Sequence, residues 1–185
     1  VEKLVGNMDY SKIRHSNTKL TEKELKYCEN DCLVVYEYIK KELETYKTAI
    51  QKIKDKGIYV IGRIVVFNDT HFGKDHPEEC IKSSVSSQLW PSGYSRLAWE
   101  YNVELAKEAI DIMGFNEIQF DYVRFPDRTG SLEKSGIIDL KNIYNEEKAQ
   151  AIQGFVMYAC DSIHELGAYV SIDVFGESAN NYVTA

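Results

Sequence analysis

The sequence has no long apolar run. None of its hydrophobic stretches approaches the roughly 18 residues that a membrane span requires, and its start, VEKLVGNMDY, lacks the basic and apolar regions of a signal peptide. Because the chain opens on Val1, we expect it to be part of a longer protein, and its cellular location stays open. A content of 44% hydrophobic and 28% charged residues over 185 positions indicates a globular protein of one large or two small domains.

Cysteine is also scarce. The four cysteines form neither a CxxC pair nor a dense framework, which argues against a zinc ribbon and a disulfide scaffold. We expect free, mostly buried thiols. Cys28 and Cys32 lie one helical turn apart and with His15 would make part of a metal site, but we expect no metal and no cofactor.

An excess of positive charge is absent from most of the chain. Residues 1–56 hold 12 Lys and Arg against 10 Asp and Glu, whereas residues 57–185 hold 10 against 19. Phosphate contacts need a basic surface, so the acidic larger part is not expected to bind nucleic acid nonspecifically.

From residue 46 onward, the hydrophobic pattern alternates between the helical period and the strand period. It predicts a helix ending at Gly57, a strand, a loop to residue 95, a helix, a second strand, a polar loop, a helix and a third strand. The predicted ranges are 46–56, 58–67, 95–114, 117–123, 145–167 and 168–176. Such alternation indicates parallel strands joined by right-handed helical crossovers.

The predicted strands each carry one apolar face. In the second strand, Ile118, Phe120 and Tyr122 share this face. The opposite faces carry polar residues, which are Arg63, Glu117, Gln119, Asp121, Ser171 and Asp173. An open doubly wound sheet would be apolar on both faces, whereas a β/α barrel has a lumen and a functional C-terminal rim. The same residues would also suit a purely structural polar network, in which Glu117 pairs with Arg63 or another lumen group.

Three segments resemble a bacterial family of glycoside-hydrolase-like proteins with an eight-stranded β/α barrel. They are GIYVIGRIVVFND, WEYNVELAKEAIDIMGFNEIQFDYVRFPD and GAYVSIDVFGESANNYVTA, and the resemblance covers about residues 49–185. It implies an α/β fold, namely a partial TIM-type barrel of about three parallel strands preceded by a helical N-terminal segment. It also implies hydrolysis of O-glycosyl bonds in a polysaccharide or oligosaccharide.

Glycoside hydrolysis uses two carboxyl groups that flank the scissile bond. By the resemblance, Asp121 of FDYVRFP is the expected nucleophile or transition-state stabiliser, and Asp173 of DVFG or Glu177 is the expected general acid. Neighbouring strands about 4.8 Å apart would bring the two aspartates to roughly 5 to 6 Å, which suits a retaining mechanism. Glu177 would permit a wider gap and an inverting mechanism. The expected substrate contacts are Arg63, Arg124, Asn68, Asp69 and Trp90, with Trp99 assigned to the core.

The first 46 residues resemble a different family, the protein-primed family B DNA polymerases. The segment YCEND matches the Tyr-x-x-x-Asp motif of their proofreading exonuclease domain, with Tyr27 and Asp31 on a helix that a Thr21 and Glu24 capping box begins. This resemblance implies a divalent metal and a nucleic-acid substrate. The alternative is that Tyr27 and Asp31 are ordinary residues of an amphipathic helix.

Together these resemblances predict two parts. Residues 1–46 would be a helical exonuclease-like fragment and residues 47–185 a partial glycoside-hydrolase-like barrel, joined in a natural or accidental fusion. A third possibility is a catalytically inactive fragment with a carbohydrate-binding or structural role.

Overall fold

The computed structural model describes residues 19–174. Over this range, helices and strands alternate along the chain. The helices are α1 (Glu22–Lys54), α2 (Thr70–Asp75), α3 (Arg96–Met113), α4 (Thr129–Lys134) and α5 (Lys148–His164), with a short 3₁₀ helix at Pro77–Glu79. The strands are β1 (Ile61–Val65), β2 (Lys82–Ser83), β3 (Glu117–Asp121), β4 (Ile138–Asp139) and β5 (Tyr169–Ile172). In this part of the chain, no helix has the length and apolar character needed to cross a membrane.

The central sheet has three parallel strands in the order β1, β3, β5. The α/β class, the three parallel strands and the helical N-terminal segment are therefore confirmed. β1 is shorter than the predicted 58–67, although the Val66 amide still donates to the Asp121 carbonyl beyond the strand end. The predicted third strand extends to residue 176, so its last two residues lie outside the described range.

Helices α3 and α5 pack on one face of this sheet. Ile118 and Phe120 of β3 are fully buried there, together with Phe155 of α5 and Val103 of α3. Side chains alternate between the faces of a strand, so the neighbours of Ile118 and Phe120 point away from the helices. The predicted division between an apolar and a polar face is thus correct within the three strands.

Local signals explain where the main crossover helix α3 begins and ends. The Ser95 hydroxyl accepts a hydrogen bond from the Ala98 amide at the N-terminus, as an N-cap residue does. Gly114 ends the helix with φ of 72°, a left-handed conformation that glycine adopts without steric cost. β3 begins three residues later, so this turn fixes which face of β3 meets the helices.

The two long loops pair with each other. β2 and β4 form an antiparallel ribbon, and the buried Ser92 hydroxyl donates to the Leu140 carbonyl at 2.6 Å. The pattern predicted only irregular loops here, because strands of two residues show no periodicity.

The chain divides into two compact units, Val1–Ala49 and Ile50–Ala185. In the first unit, the predicted capping box is present: the Glu24 amide donates to the Thr21 hydroxyl, and the Thr21 amide donates to the Glu24 carboxylate. Cys28 and Cys32 are exposed free thiols on α1, so the expectation of mostly buried cysteines is wrong for these two. The assignment of residues 1–46 and 47–185 to different families stays a prediction.

Candidate active site

Two aspartates meet where β3 and β5 end. Asp121 is the last residue of β3, and Asp173 directly follows the last residue of β5. The Asp173 amide donates to the Phe120 carbonyl at 2.9 Å, so the hydrogen bonding between these strands continues as far as Asp173. Arg63 in the middle of β1 contacts both carboxylates from the same face. The three strands therefore each contribute one charged side chain to this cluster.

A single nitrogen of Arg63 connects the two carboxylates. Its Nη2 donates to Asp121 Oδ2 at 2.6 Å and to Asp173 Oδ2 at 2.9 Å. The two oxygens consequently lie no further apart than the sum of these distances, about 5.5 Å. The hydrogen bond to Asp121 is the main reason why the pKa of Arg63 is raised, and Arg63 stays a cation at any physiological pH.

The two aspartates differ in their surroundings. The Asp121 side chain is 14% exposed, and its Oδ1 also accepts the Tyr122 amide at 2.7 Å. The Asp173 side chain is 42% exposed. Asp121 is thus the more firmly positioned of the two.

A second polar network lies on the same face, nearer the N-terminal ends of the strands. The Glu117 carboxylate accepts from the Tyr59 hydroxyl at 2.9 Å and from the Ser171 hydroxyl. Partial loss of hydration and the bond to Glu117 raise the pKa of Tyr59, whose side chain is still half exposed. Glu117 therefore pairs with other groups of this face, and in the structure Arg63 pairs with Asp121 and Asp173.

Tyr122 departs from the predicted alternation. Strand parity assigns it to the helix-covered face with Ile118 and Phe120, but its φ of 54° is left-handed and shifts the pattern by one residue. Val123 is buried instead, and Tyr122 is half-buried beside Asp121. A left-handed aromatic residue leaves no signal in the periodicity, which is why Tyr122 was not among the predicted site residues.

The cluster lines a cleft of about 230 Å³. The lining residues are Arg63, Asp121, Tyr122, Arg124, Asp173 and Val174. Four of the residues predicted from the sequence for catalysis or substrate contact are thus brought together.

Trp90 contacts Tyr122 but is not among the residues that line this cleft. Its ring meets the Tyr122 ring edge-on at 6.0 Å between centroids, and the Arg124 guanidinium lies 5.8 Å from the Trp90 centroid and 5.3 Å from that of Tyr122. Arg124 also pairs with Asp127 at 3.0 Å. By contrast, Trp99 is buried and donates from its indole to the Gly93 carbonyl, which makes it a core residue.

The remaining predicted site residues lie elsewhere. Asn68 accepts a hydrogen bond from Gln88, and Asp69 is the N-cap of α2, where its Oδ1 accepts the His71 and Phe72 amides. Neither lines the cleft. Glu177 lies outside the described residues.

The exonuclease-like pair is found on α1. Tyr27 and Asp31 are both half-buried and one helical turn apart. Between residues 19 and 174 there is no group of three or more His, Cys, Asp or Glu side chains that would hold a metal ion.

A family model described as "Putative glycosyl hydrolase domain" matches residues 18–184. The chain belongs to this family. The family match includes α1, and thus Tyr27 and Asp31, whose spacing resembles a polymerase exonuclease motif. None of the comparisons supports that polymerase resemblance.

The chain was also compared with curated proteins and with solved structures. No curated protein matches the chain. Among solved structures, it is similar to the alpha-galactosidase from Lactobacillus brevis, with 14% identity and a TM-score of 0.45. The alignment covers 69% of this chain and 18% of that protein, so the chain spans far less than the length of this relative.

Proposed function

We propose that this glycosyl hydrolase family member cleaves O-glycosidic bonds of an oligosaccharide or polysaccharide with a pair of carboxyl groups. The observation that carries the proposal is the short separation of Asp121 and Asp173. Retaining glycosidases hold their two carboxyl groups about 5 to 5.5 Å apart, whereas inverting enzymes need about 6.5 to 9.5 Å to admit a water molecule. An upper limit of about 5.5 Å between the two oxygens supports a retaining mechanism.

In this mechanism Asp121 is the nucleophile. Its carboxylate oxygen forms a bond to the anomeric carbon while the bond to the leaving oxygen breaks, and the second carboxyl group gives its proton to that oxygen. The second group then takes a proton from water, and the water oxygen displaces Asp121 from the anomeric carbon. Two displacements return the original configuration. Asp173 is the second group of this retaining mechanism. Glu177 is the alternative acid, for which the sequence predicts a wider gap and an inverting mechanism.

The surroundings of Asp121 support the role of nucleophile. The Tyr122 amide holds one carboxylate oxygen and Arg63 holds the other. Both donors lie on strands or directly after them, so the carboxylate is oriented before substrate binds, and less entropy is lost on the way to the transition state.

The proposal is tested with the 185-residue chain and a panel of 4-nitrophenyl α- and β-glycosides of common hexoses and pentoses. Asp121→Asn should lower hydrolysis by at least about 100-fold, in line with the loss of a positioned catalytic group. Asp161→Asn, an exposed aspartate on α5, is the matched control and should leave the rate unchanged. Hydrolysis by the wild type that Asp121→Asn leaves intact would remove Asp121 from the mechanism.

The product configuration and the leaving group assign the remaining roles. Proton NMR of the first-formed sugar should show the anomer of the substrate. The variants Asp173→Asn and Glu177→Gln identify the general acid. The variant that lacks the acid should still cleave dinitrophenyl glycosides, because dinitrophenolate leaves without a proton. Sugar binding without hydrolysis across the panel would instead indicate the catalytically inactive carbohydrate-binding alternative.

A further inference from the structure

We propose that Tyr122 is the sugar-binding residue of the cleft, and that its ring supports the sugar whose anomeric carbon Asp121 attacks. This inference rests on the proposed function, since it names the part of the same cleft that receives the substrate. It assigns a role to a residue that the strand pattern predicted to lie in the core.

The backbone at Tyr122 indicates that the position serves more than the fold. A left-handed conformation is sterically unfavourable for an L-residue, whereas glycine would adopt the same φ without that cost. An aromatic residue at φ of 54° directly after a candidate nucleophile is an outlier of the kind that clusters at functional sites.

The strained conformation has a geometric effect. It turns Tyr122 onto the face that carries Asp121 and lets Val123 return to the core, so two successive residues line the same cleft. It also directs the Tyr122 amide to Asp121 Oδ1 at 2.7 Å. A sugar in contact with Tyr122 would therefore lie next to the nucleophile.

The size and chemistry of the cleft suit one sugar ring. Its volume of about 230 Å³ lies below the range of roughly 300 to 1,000 Å³ for drug-sized ligands, which favours a single pyranose or furanose over a longer segment. An aromatic face covers the apolar C–H side of a sugar, and the Arg124 guanidinium lies over the Tyr122 ring at 5.3 Å, so the cleft joins an aromatic surface to a cation. The Trp90 ring packs on Tyr122 and limits its movement.

The test measures binding and thermal stability separately. The probes are the methyl α- and β-glycosides of glucose, galactose, mannose and xylose, observed by saturation-transfer NMR and titration calorimetry. Tyr122→Phe should bind as the wild type does. Tyr122→Ala and Tyr122→Gly should bind at least tenfold more weakly.

The stability comparison isolates the backbone strain. Alanine and glycine both remove the ring, but only glycine relieves the left-handed conformation, so Tyr122→Gly should melt about 2 to 4 °C above Tyr122→Ala. Lys141→Gly is the matched control because Lys141 has φ of 60° outside the cleft. It should raise the melting temperature and leave binding unchanged.

Several results would overturn the inference. They are binding of no probe by the wild type, undiminished binding by Tyr122→Ala and Tyr122→Gly, or equal melting temperatures for those two variants. If neither Tyr122→Ala nor Tyr122→Gly folds, Tyr122→Leu replaces them, because leucine keeps the bulk of the side chain without a flat aromatic face. Tyr122→Leu should bind the probes at least tenfold more weakly than Tyr122→Phe. Equal binding by Tyr122→Leu and Tyr122→Phe would contradict a sugar-binding role for the ring. Asp121→Asn should bind the probe without hydrolysing substrate, which separates a failure here from a failure of the proposed function.

Discussion

Truncation of Phe155 tests the packing that supports the candidate site. Phe155 of α5 is fully buried and lies where the helices meet the sheet. Its ring has edge-on contacts with Phe67, Phe120 and Trp99, at centroid distances of 5.4, 5.6 and 6.0 Å. Phe120 immediately precedes Asp121, so this packing fixes the end of β3 that carries the candidate nucleophile.

The expected loss of stability follows from that environment. Truncation of a buried phenylalanine to alanine costs about 3 to 5 kcal/mol, because transfer free energy is lost and a cavity remains. Aromatic pairs add about 0.5 to 1.5 kcal/mol each beyond the buried area, and Phe155 has three such partners. The measured range for truncation already includes such contacts, so three aromatic partners favour its upper part. We therefore expect about 4 to 5 kcal/mol, which in a chain of this size corresponds to a fall in melting temperature of about 8 to 20 °C.

Urea denaturation followed by circular dichroism measures this loss. The midpoint should fall for Phe155→Ala at an unchanged slope, and Phe155→Leu should recover a large part of the stability because it fills most of the cavity. Met157→Ala is the matched control on the same helix, since Met157 is 57% exposed, and it should change stability by less than about 0.5 kcal/mol. A cost below about 1 kcal/mol for Phe155→Ala would refute the argument that α5 covers the apolar face of the sheet through this ring.

Two smaller predictions concern other residues of the second unit. Burial raises the pKa of Tyr94 from 10.0 to about 12, so its stabilising contribution is complete below about pH 10 and is lost as the pH rises through about 12. Between about pH 10 and pH 12, the unfolding free energy of Tyr94→Phe should therefore fall less than that of the wild type. Equal falls for the two proteins in alkaline denaturation would contradict the prediction. Asp69→Ala should lower the unfolding free energy by about 1 kcal/mol through loss of the α2 N-cap, while Asp69→Asn should retain most of it. If folded Asp69→Ala loses hydrolysis while Asp69→Asn retains it, the predicted role of Asp69 as a substrate contact would be supported.

The central sheet could be predicted from the sequence because its signals are local and periodic. Alternation in β3 places Ile118 and Phe120 on one face and Gln119 and Asp121 on the other, and the structure confirms this. Gly114 ends α3 as the sequence predicts. These features depend on residues within a few positions of each other, so one sequence is sufficient to identify them.

The contacts of the site depend on residues far apart in the chain. Arg63 meets Asp173 across 110 positions, and the sequence predicted only that both would share a face. The ribbon of β2 and β4 has two residues in each strand, too few for a period. Tyr122 was assigned to the wrong face because parity assumes an extended backbone, and its left-handed φ breaks that assumption.

The position of the carboxylate pair follows from the register of the sheet. Val65 is opposite Asp121, and Phe120 is opposite Ile172, so Asp173 comes next to the end of β3. A slip of one residue would turn every side chain of a strand to the other face and bury one carboxylate under the helices without its cation. Burial of Phe120 against Phe155 therefore opposes such a slip with the same packing energy that stabilises the core. For this reason we expect Phe155→Leu, which keeps most of the apolar bulk, to keep both the register and the proposed activity. A folded Phe155→Leu variant that has lost this activity would indicate that apolar bulk at this position is not sufficient to hold the carboxylate pair in place.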